Sequence, residues 1–103
     1  MEENTLKEAQ KIIDEFVKER HWERPSSDTF IHLVEEIGEV GSNILIMKDY
    51  GGGHTKDKLV NLEEELADVL YLLLKLANEN NVDLQNAFTS KIEKIRNKFP
   101  ANK

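Results

Sequence analysis

Two short acidic clusters stand out in this sequence, Glu35-Glu36-Ile37-Gly38-Glu39 and Glu63-Glu64-Glu65-Leu66-Ala67-Asp68. Within each, two carboxylates stand three positions apart, Glu36 with Glu39 and Glu65 with Asp68. On a helix that spacing puts both members of a pair on one face, about one turn apart. Oxygens from two such pairs facing one another would hold a hard divalent cation, and an all-oxygen donor set suits Mg²⁺, or Mn²⁺ in its place, better than zinc. The ion would also answer a physical problem. A carboxylate at the edge of a core must gain a partner or shift its pKa until it is neutral. The alternative is that both clusters are solvated helix faces with lysine partners about a turn away.

The elements that must carry these acids follow from hydrophobic periodicity at about 100° per residue. Leu33, Ile37, Val40, Ile44 and Met47 form one apolar stripe, with Glu36 on its edge and Glu39 just beyond. Leu62, Leu66, Val69, Leu73 and Leu76 form another, with Glu65 and Asp68 on the equivalent flank. The spacing predicts helices over about 28–50 and 57–80 for these two stretches. An amphipathic first helix over 4–20 precedes them, and a fourth, 84 to about 98, follows an N-cap at Asp83 and stops before Pro100. Ser26 or Ser27 is available to cap the second helix after Pro25. Gly38 costs that helix roughly 1 kcal/mol relative to alanine, and close approach of another backbone would compensate. Gly51-Gly52-Gly53 reads as a hinge or loop, because it lacks the spacing of a phosphate-binding loop and no strand precedes it.

The fold expected is therefore all-α, a four-helix bundle-like single domain over 1–103. Leu70 to Ala77 is apolar almost all round, and such a helix needs cover on more than one side. Three amphipathic neighbours cannot supply that cover, so a homodimer or homotetramer is expected with this helix in the interface. The 20 acidic residues outnumber the 14 basic ones, for a net charge of −6. That balance argues against a nucleic-acid polymer or an anionic membrane as partner. Without the four candidate ligands the count is 16 against 14, so much of the acidity belongs to the proposed site. The chain has no cysteine, which excludes thiolate metal sites and disulfides. Its longest apolar run is broken by Asp68 and Lys75 and is too short to span a bilayer, and a charged N-terminal stretch completes the expectation of a cytoplasmic protein.

Several further residues are candidates for substrate contact. Trp22, the single tryptophan, stands at the first interhelical connection, where it would either stack on a nucleobase or plug the end of the helical core. Lys91, Lys94 and Lys98 form a basic row on the fourth helix, and Lys75 lies seven residues beyond Asp68 on the same flank. Such rows are either solvated or serve polyphosphate, which needs cationic contacts as well as a metal ion.

Taken together, Glu36-x-x-Glu39, then Glu65-x-x-Asp68 within Glu-Glu-Leu-Ala-Asp-Val-Leu, then Val82-Asp83-Leu84 and a last helix ending Phe99-Pro100 resemble the MazG-like all-α nucleoside triphosphate pyrophosphohydrolases over about residues 10–100. The resemblance implies hydrolysis between the α and β phosphates of an NTP or dNTP, giving the monophosphate and pyrophosphate. It implies ligation of Mg²⁺ by Glu36, Glu39, Glu65 and Asp68, an obligate oligomer, and plausible service in clearing surplus or noncanonical nucleotides. His21-Trp22 is similar to the Arg-x-Trp turn of the related dCTP pyrophosphatases, which places Trp22 at the base. Ile46 and Leu72 stand where those relatives carry further aromatics, and Ile95 and Lys98 also depart from the family pattern. A non-enzymatic oligomeric helical interaction protein is the competing expectation. A di-iron carboxylate bundle ranks below it, because neither acidic cluster has the histidine three residues on that such sites use.

Overall fold

A computed structural model of the chain describes residues 5–48 and 61–101, which form four α-helices and no strand among the described residues. They are α1 (Leu6–Glu19), α2 (Ser26–Met47), α3 (Leu62–Glu79) and α4 (Leu84–Lys98). The expected triple-glycine turn lies outside the described residues. The all-α, four-helix expectation holds. Helix α3 is the hub: α2 runs beside it and α1 packs on it, while α4 rests chiefly on α1.

The ends of the helices show why these segments fold locally. Thr5, Asn61 and Asp83 each accept a hydrogen bond from the backbone N–H three residues on, which satisfies donors left unpaired in the first turn. Helix α2 differs from expectation. Neither Ser26 nor Ser27 caps it; Pro25 occupies the cap position with extended backbone, and no side chain bonds to the first turn. The proline locks φ in a range that lets the helix begin at once behind it. Helix α3 begins at Leu62 rather than near 57, because the Asn61 side chain both accepts from the Glu64 N–H (3.0 Å) and donates to the Glu64 carboxylate (2.9 Å).

Helices α1 and α3 end alike. After α1, His21 takes φ 54°, its N–H reaches the Lys18 carbonyl, and the Trp22 N–H reaches that of Val17. After α3, Asn81 takes φ 57°, its N–H reaches Asn78, and the Val82 N–H reaches Ala77. Both are Schellman closures built on a non-glycine residue. The α1 closure fixes Trp22, whose ring meets Phe16 edge-on at 5.6 Å between centroids.

The seam between α2 and α3 is the structural surprise. Thr29, Glu36 and Asn43 on α2 stand seven residues apart, and so do Lys75, Asp68 and Asn61 on α3. The Thr29 hydroxyl accepts from Lys75 and the Asn43 side chain accepts from the Asn61 N–H, while Glu36 meets Asp68 between them. The helices are therefore antiparallel, with three polar rungs at heptad spacing between the apolar residues Leu33, Val40 and Leu72. Glu36 was expected on the edge of the stripe Leu33, Ile37, Val40, Ile44 and Met47; instead it faces α3, and Ile37, Ile44 and Met47 are exposed. Among the described residues few apolar side chains are buried: Val17, Leu33, Leu72, Leu74 and Ala77. No close backbone approaches Gly38, since a Cβ there would meet nothing within 4 Å among the described residues.

Candidate active site

The middle rung brings the acids together. Glu36 of α2 and Glu65 and Asp68 of α3 each offer one carboxylate oxygen, and these oxygens all lie within 4.8 Å of one another. The spacing explains it. Glu65 and Asp68, one turn apart on α3, flank the position that Glu36 reaches across the seam. All three are half-buried, and Glu65 Oε1 is buried with no hydrogen-bond partner among the described residues. Burial pushes the pKa of Glu36 up, the charge of Asp68 adds to it, and His32, whose Nε2 stands 3.6 Å from Glu36 Oε2, pulls the other way. Burial likewise raises Glu65, followed by the charges of Glu36 and Asp68. Three converging carboxylates with an orphaned buried oxygen could hold a cation, and a divalent ion would relieve both the desolvation and the mutual repulsion. The donor set fits a hard ion such as Mg²⁺.

Glu39, the fourth expected ligand, is exposed and outside this trio. Its charge nevertheless helps raise Glu36 and Glu65, so it stands at the rim of the site. Beside the trio, on the side of the α1–α2 connection, lies a groove of about 310 Å³ whose wall includes Trp22, Thr29, His32, Tyr71 and Lys75. His32 joins it to the acids through Glu36. Trp22 thus lies on the groove and is half exposed (46 %). Lys75 is buried. It donates to Glu79 Oε2 (2.6 Å) and to Thr29 Oγ1 (3.1 Å). A larger groove of about 570 Å³ lies between α1 and α3, with Lys75 and Glu79 in its wall.

Lys91, Lys94 and Lys98 are exposed on α4 and line neither groove. Because α4 rests on α1, the basic row and the acid trio do not meet within one chain. Reading the sequence did not single out His32, Thr29 or Glu79. The available signal was spacing: His32 is one turn before Glu36, and Thr29 is as far from Glu36 as Lys75 is from Asp68.

The chain is all-α, with two antiparallel helices that bring three carboxylates together beside a groove. Residues 25–102 match the MazG nucleotide pyrophosphohydrolase domain, and the chain belongs to that family. It is 34% identical to dCTP pyrophosphatase 1 of Homo sapiens and 33% identical to that of Rattus norvegicus, over 97% of this chain and 62% of each relative. The chain thus spans less than two thirds of the length of these relatives. Among solved structures, that of YPJD from Bacillus subtilis, named as a candidate pyrophosphatase, is similar with a TM-score of 0.74 and 29% identity, covering 92% of this chain and 96% of that one.

Proposed function

We propose that this protein is a divalent-metal-dependent nucleoside triphosphate pyrophosphohydrolase, releasing pyrophosphate and the monophosphate from NTP or dNTP substrates. The observation that carries this reading is the meeting of Glu36, Glu65 and Asp68 around an unpartnered buried carboxylate oxygen, in a chain of the MazG family. Glu36, Glu65 and Asp68 would hold Mg²⁺, with Mn²⁺ as a substitute, and Glu39 would join them from the rim. Such an ion neutralises phosphate charge and lowers the pKa of a bound water.

The protein's own groups orient the substrate. Trp22 offers a stacking face for the base, and His32 shields Glu36 on the groove side. A carboxylate of the trio accepts the proton of the attacking water as the α–β anhydride bond breaks and pyrophosphate leaves. The α4 lysines Lys91, Lys94 and Lys98 would serve the phosphates only if another copy of the chain brought them to the site, in keeping with a homodimer or homotetramer. A cytoplasmic role in clearing nucleotides fits this chemistry.

The test is pyrophosphate release from a panel of ribo- and deoxyribonucleoside triphosphates with Mg²⁺. Wild-type protein turns over at least one of them, EDTA stops it, and Glu39→Gln and Asp68→Asn each lower turnover by about 100-fold or more, the scale of losing a group that stabilises developing charge. Unchanged turnover in both variants would refute the assignment.

A further inference from the structure

The polar rungs between α2 and α3 mark levels along the seam, and His32 stands between two of them. Glu36 with Asp68 makes the acid level, and Thr29 with Lys75 makes the next. His32 is four residues before Glu36 on α2, and Leu72 is four after Asp68 on α3. Both therefore lie about one helical turn, roughly 6 Å, from the acids on the way to the Thr29 level. The groove of about 310 Å³ opens at that turn, with His32, Tyr71 and Leu72 in its wall beside Trp22 and Arg24 of the α1–α2 connection. The three acids themselves do not line it. His32 is thus the junction: its Nε2 stands 3.6 Å from Glu36 Oε2, and its ring borders the groove.

What the junction offers is a hydrogen-bond donor. At 3.6 Å the imidazole is too far from Glu36 for a hydrogen bond, and the side chain is 57 % exposed, so its N–H is not engaged by that carboxylate. Lys75, also in the groove wall, is held elsewhere. It is buried and donates to Glu79 Oε2 (2.6 Å) and Thr29 Oγ1 (3.1 Å), and Thr29 Oγ1 donates to the same Glu79 oxygen (2.8 Å). Arg24 donates to the Glu23 carbonyl within the connection (3.4 Å). A nucleoside triphosphate gripped through its phosphates at the acids, with its nucleoside in the groove beside Trp22, must cross the turn between them. The α-phosphate makes that crossing, because it is the phosphate joined to the sugar. We propose that His32 is a substrate-binding residue, its imidazole N–H donating to a nonbridging oxygen of the phosphate that stays with the nucleoside. A neutral ring suffices, since one N–H makes the bond, and a phosphate oxygen is a strong acceptor for it. After cleavage the contact belongs to the monophosphate and not to pyrophosphate. This inference rests on the triphosphate reading above and assigns a residue to the α-phosphate in addition to the metal ligands.

The experiment measures calorimetric binding of dCMP, dUMP, dAMP and dGMP, of the matching nucleosides and of pyrophosphate, all with Mg²⁺, alongside triphosphate turnover. Wild-type protein binds at least one monophosphate. His32→Leu weakens that binding by about 10-fold or more, the range for a hydrogen bond to a charged group, and lowers kcat/KM for the triphosphate at least as much. It leaves nucleoside and pyrophosphate binding within about two-fold, and Mn²⁺ binding to the acid trio is unchanged. His32→Gln, which keeps an N–H at similar reach, restores most of the monophosphate affinity. Wild-type protein that binds no monophosphate, or a His32→Leu loss shared equally by monophosphate, nucleoside and pyrophosphate, would overturn the contact. So would Mn²⁺ binding that weakens in both variants, since His32 would then act as a prop for Glu36. Triphosphate turnover with monophosphate binding indifferent to His32 would remove this contact and spare the hydrolase. Monophosphate binding that depends on His32, with no triphosphate turned over, would remove the hydrolase and spare the contact.

Discussion

At the scale of single residues, the carboxylate trio explains its own cost. Glu36 and Glu65 are held at a raised pKa by burial first and by like charge second, so without metal the folded chain binds protons more tightly than the unfolded one. The sign follows from linkage. The contribution of these two groups to stability is fully present below the ordinary carboxylate value of 4.5 and is lost as pH rises through the elevated folded values. The metal-free melting temperature is therefore expected to carry a component that falls with rising pH just above that value, and a Glu36→Gln/Glu65→Gln double variant lacks it in the same titration. Saturating Mg²⁺ at neutral pH raises the wild-type melting temperature and leaves the double variant unmoved, because a ligand that binds only the folded state stabilises it. A wild-type curve indifferent to Mg²⁺ would contradict the cation-binding reading.

At the scale of elements, helix termination sets where the functional side chains fall. His21 adopts the left-handed conformation that closes α1 and sends the chain on into Trp22. An L-residue with a Cβ is disfavoured there, whereas glycine is not. His21→Gly is therefore expected to stabilise the protein by roughly 0.5–1 kcal/mol in urea unfolding. Asn61→Ala removes the cap of the helix that carries Glu65 and Asp68 and costs about 1 kcal/mol, with Mn²⁺ affinity falling as the first turn of α3 frays. Much of this layer was legible beforehand. Asp83 was readable as a cap and Asn80-Asn81 as a stop, because those signals are local. The start of α3 was not, since its cap is a single asparagine in a polar stretch that continues the helical periodicity upstream. The role of Pro25 was also missed, because serines next to a helix start ordinarily cap it.

At the scale of the whole molecule, one chain leaves too much apolar surface uncovered. Its radius of gyration is 17.2 Å, against about 13 Å for a compact domain of similar length. Leu66, Leu70 and Leu73 of α3, Phe88 and Ile95 of α4, and Phe99 just after it are exposed, as are Ile37 and Ile44 of α2. Large apolar side chains exposed on three helices point to an interaction surface, and Leu70–Ala77 of α3 holds one charged residue, Lys75. Sedimentation at micromolar concentration is expected to show a dimer or larger species. Leu70→Glu should shift it toward monomer and lower the melting temperature by several degrees, in line with a loss of about 1–2 kcal/mol in a domain of this size. A wild-type chain that sediments as a stable monomer with its full melting temperature would contradict this reading.

What the sequence alone determined was angular. The three-residue spacing of Glu36 with Glu39 and of Glu65 with Asp68, and the apolar periodicity around them, fixed how side chains are distributed about each helix axis, because an α-helix has one geometry whatever its surroundings. Which arc of α2 turns toward α3 was not written in that periodicity. The rows through Ile37 and Ile44 are more apolar than the row through Thr29, Glu36 and Asn43, yet the polar row makes the seam. Only packing between helices far apart in the chain could decide this, for it depends on rungs that form when Thr29 finds Lys75 and Asn43 finds Asn61. The same choice placed Glu36 among the α3 acids, left Glu39 at the rim and made a buried triangle of Lys75, Glu79 and Thr29.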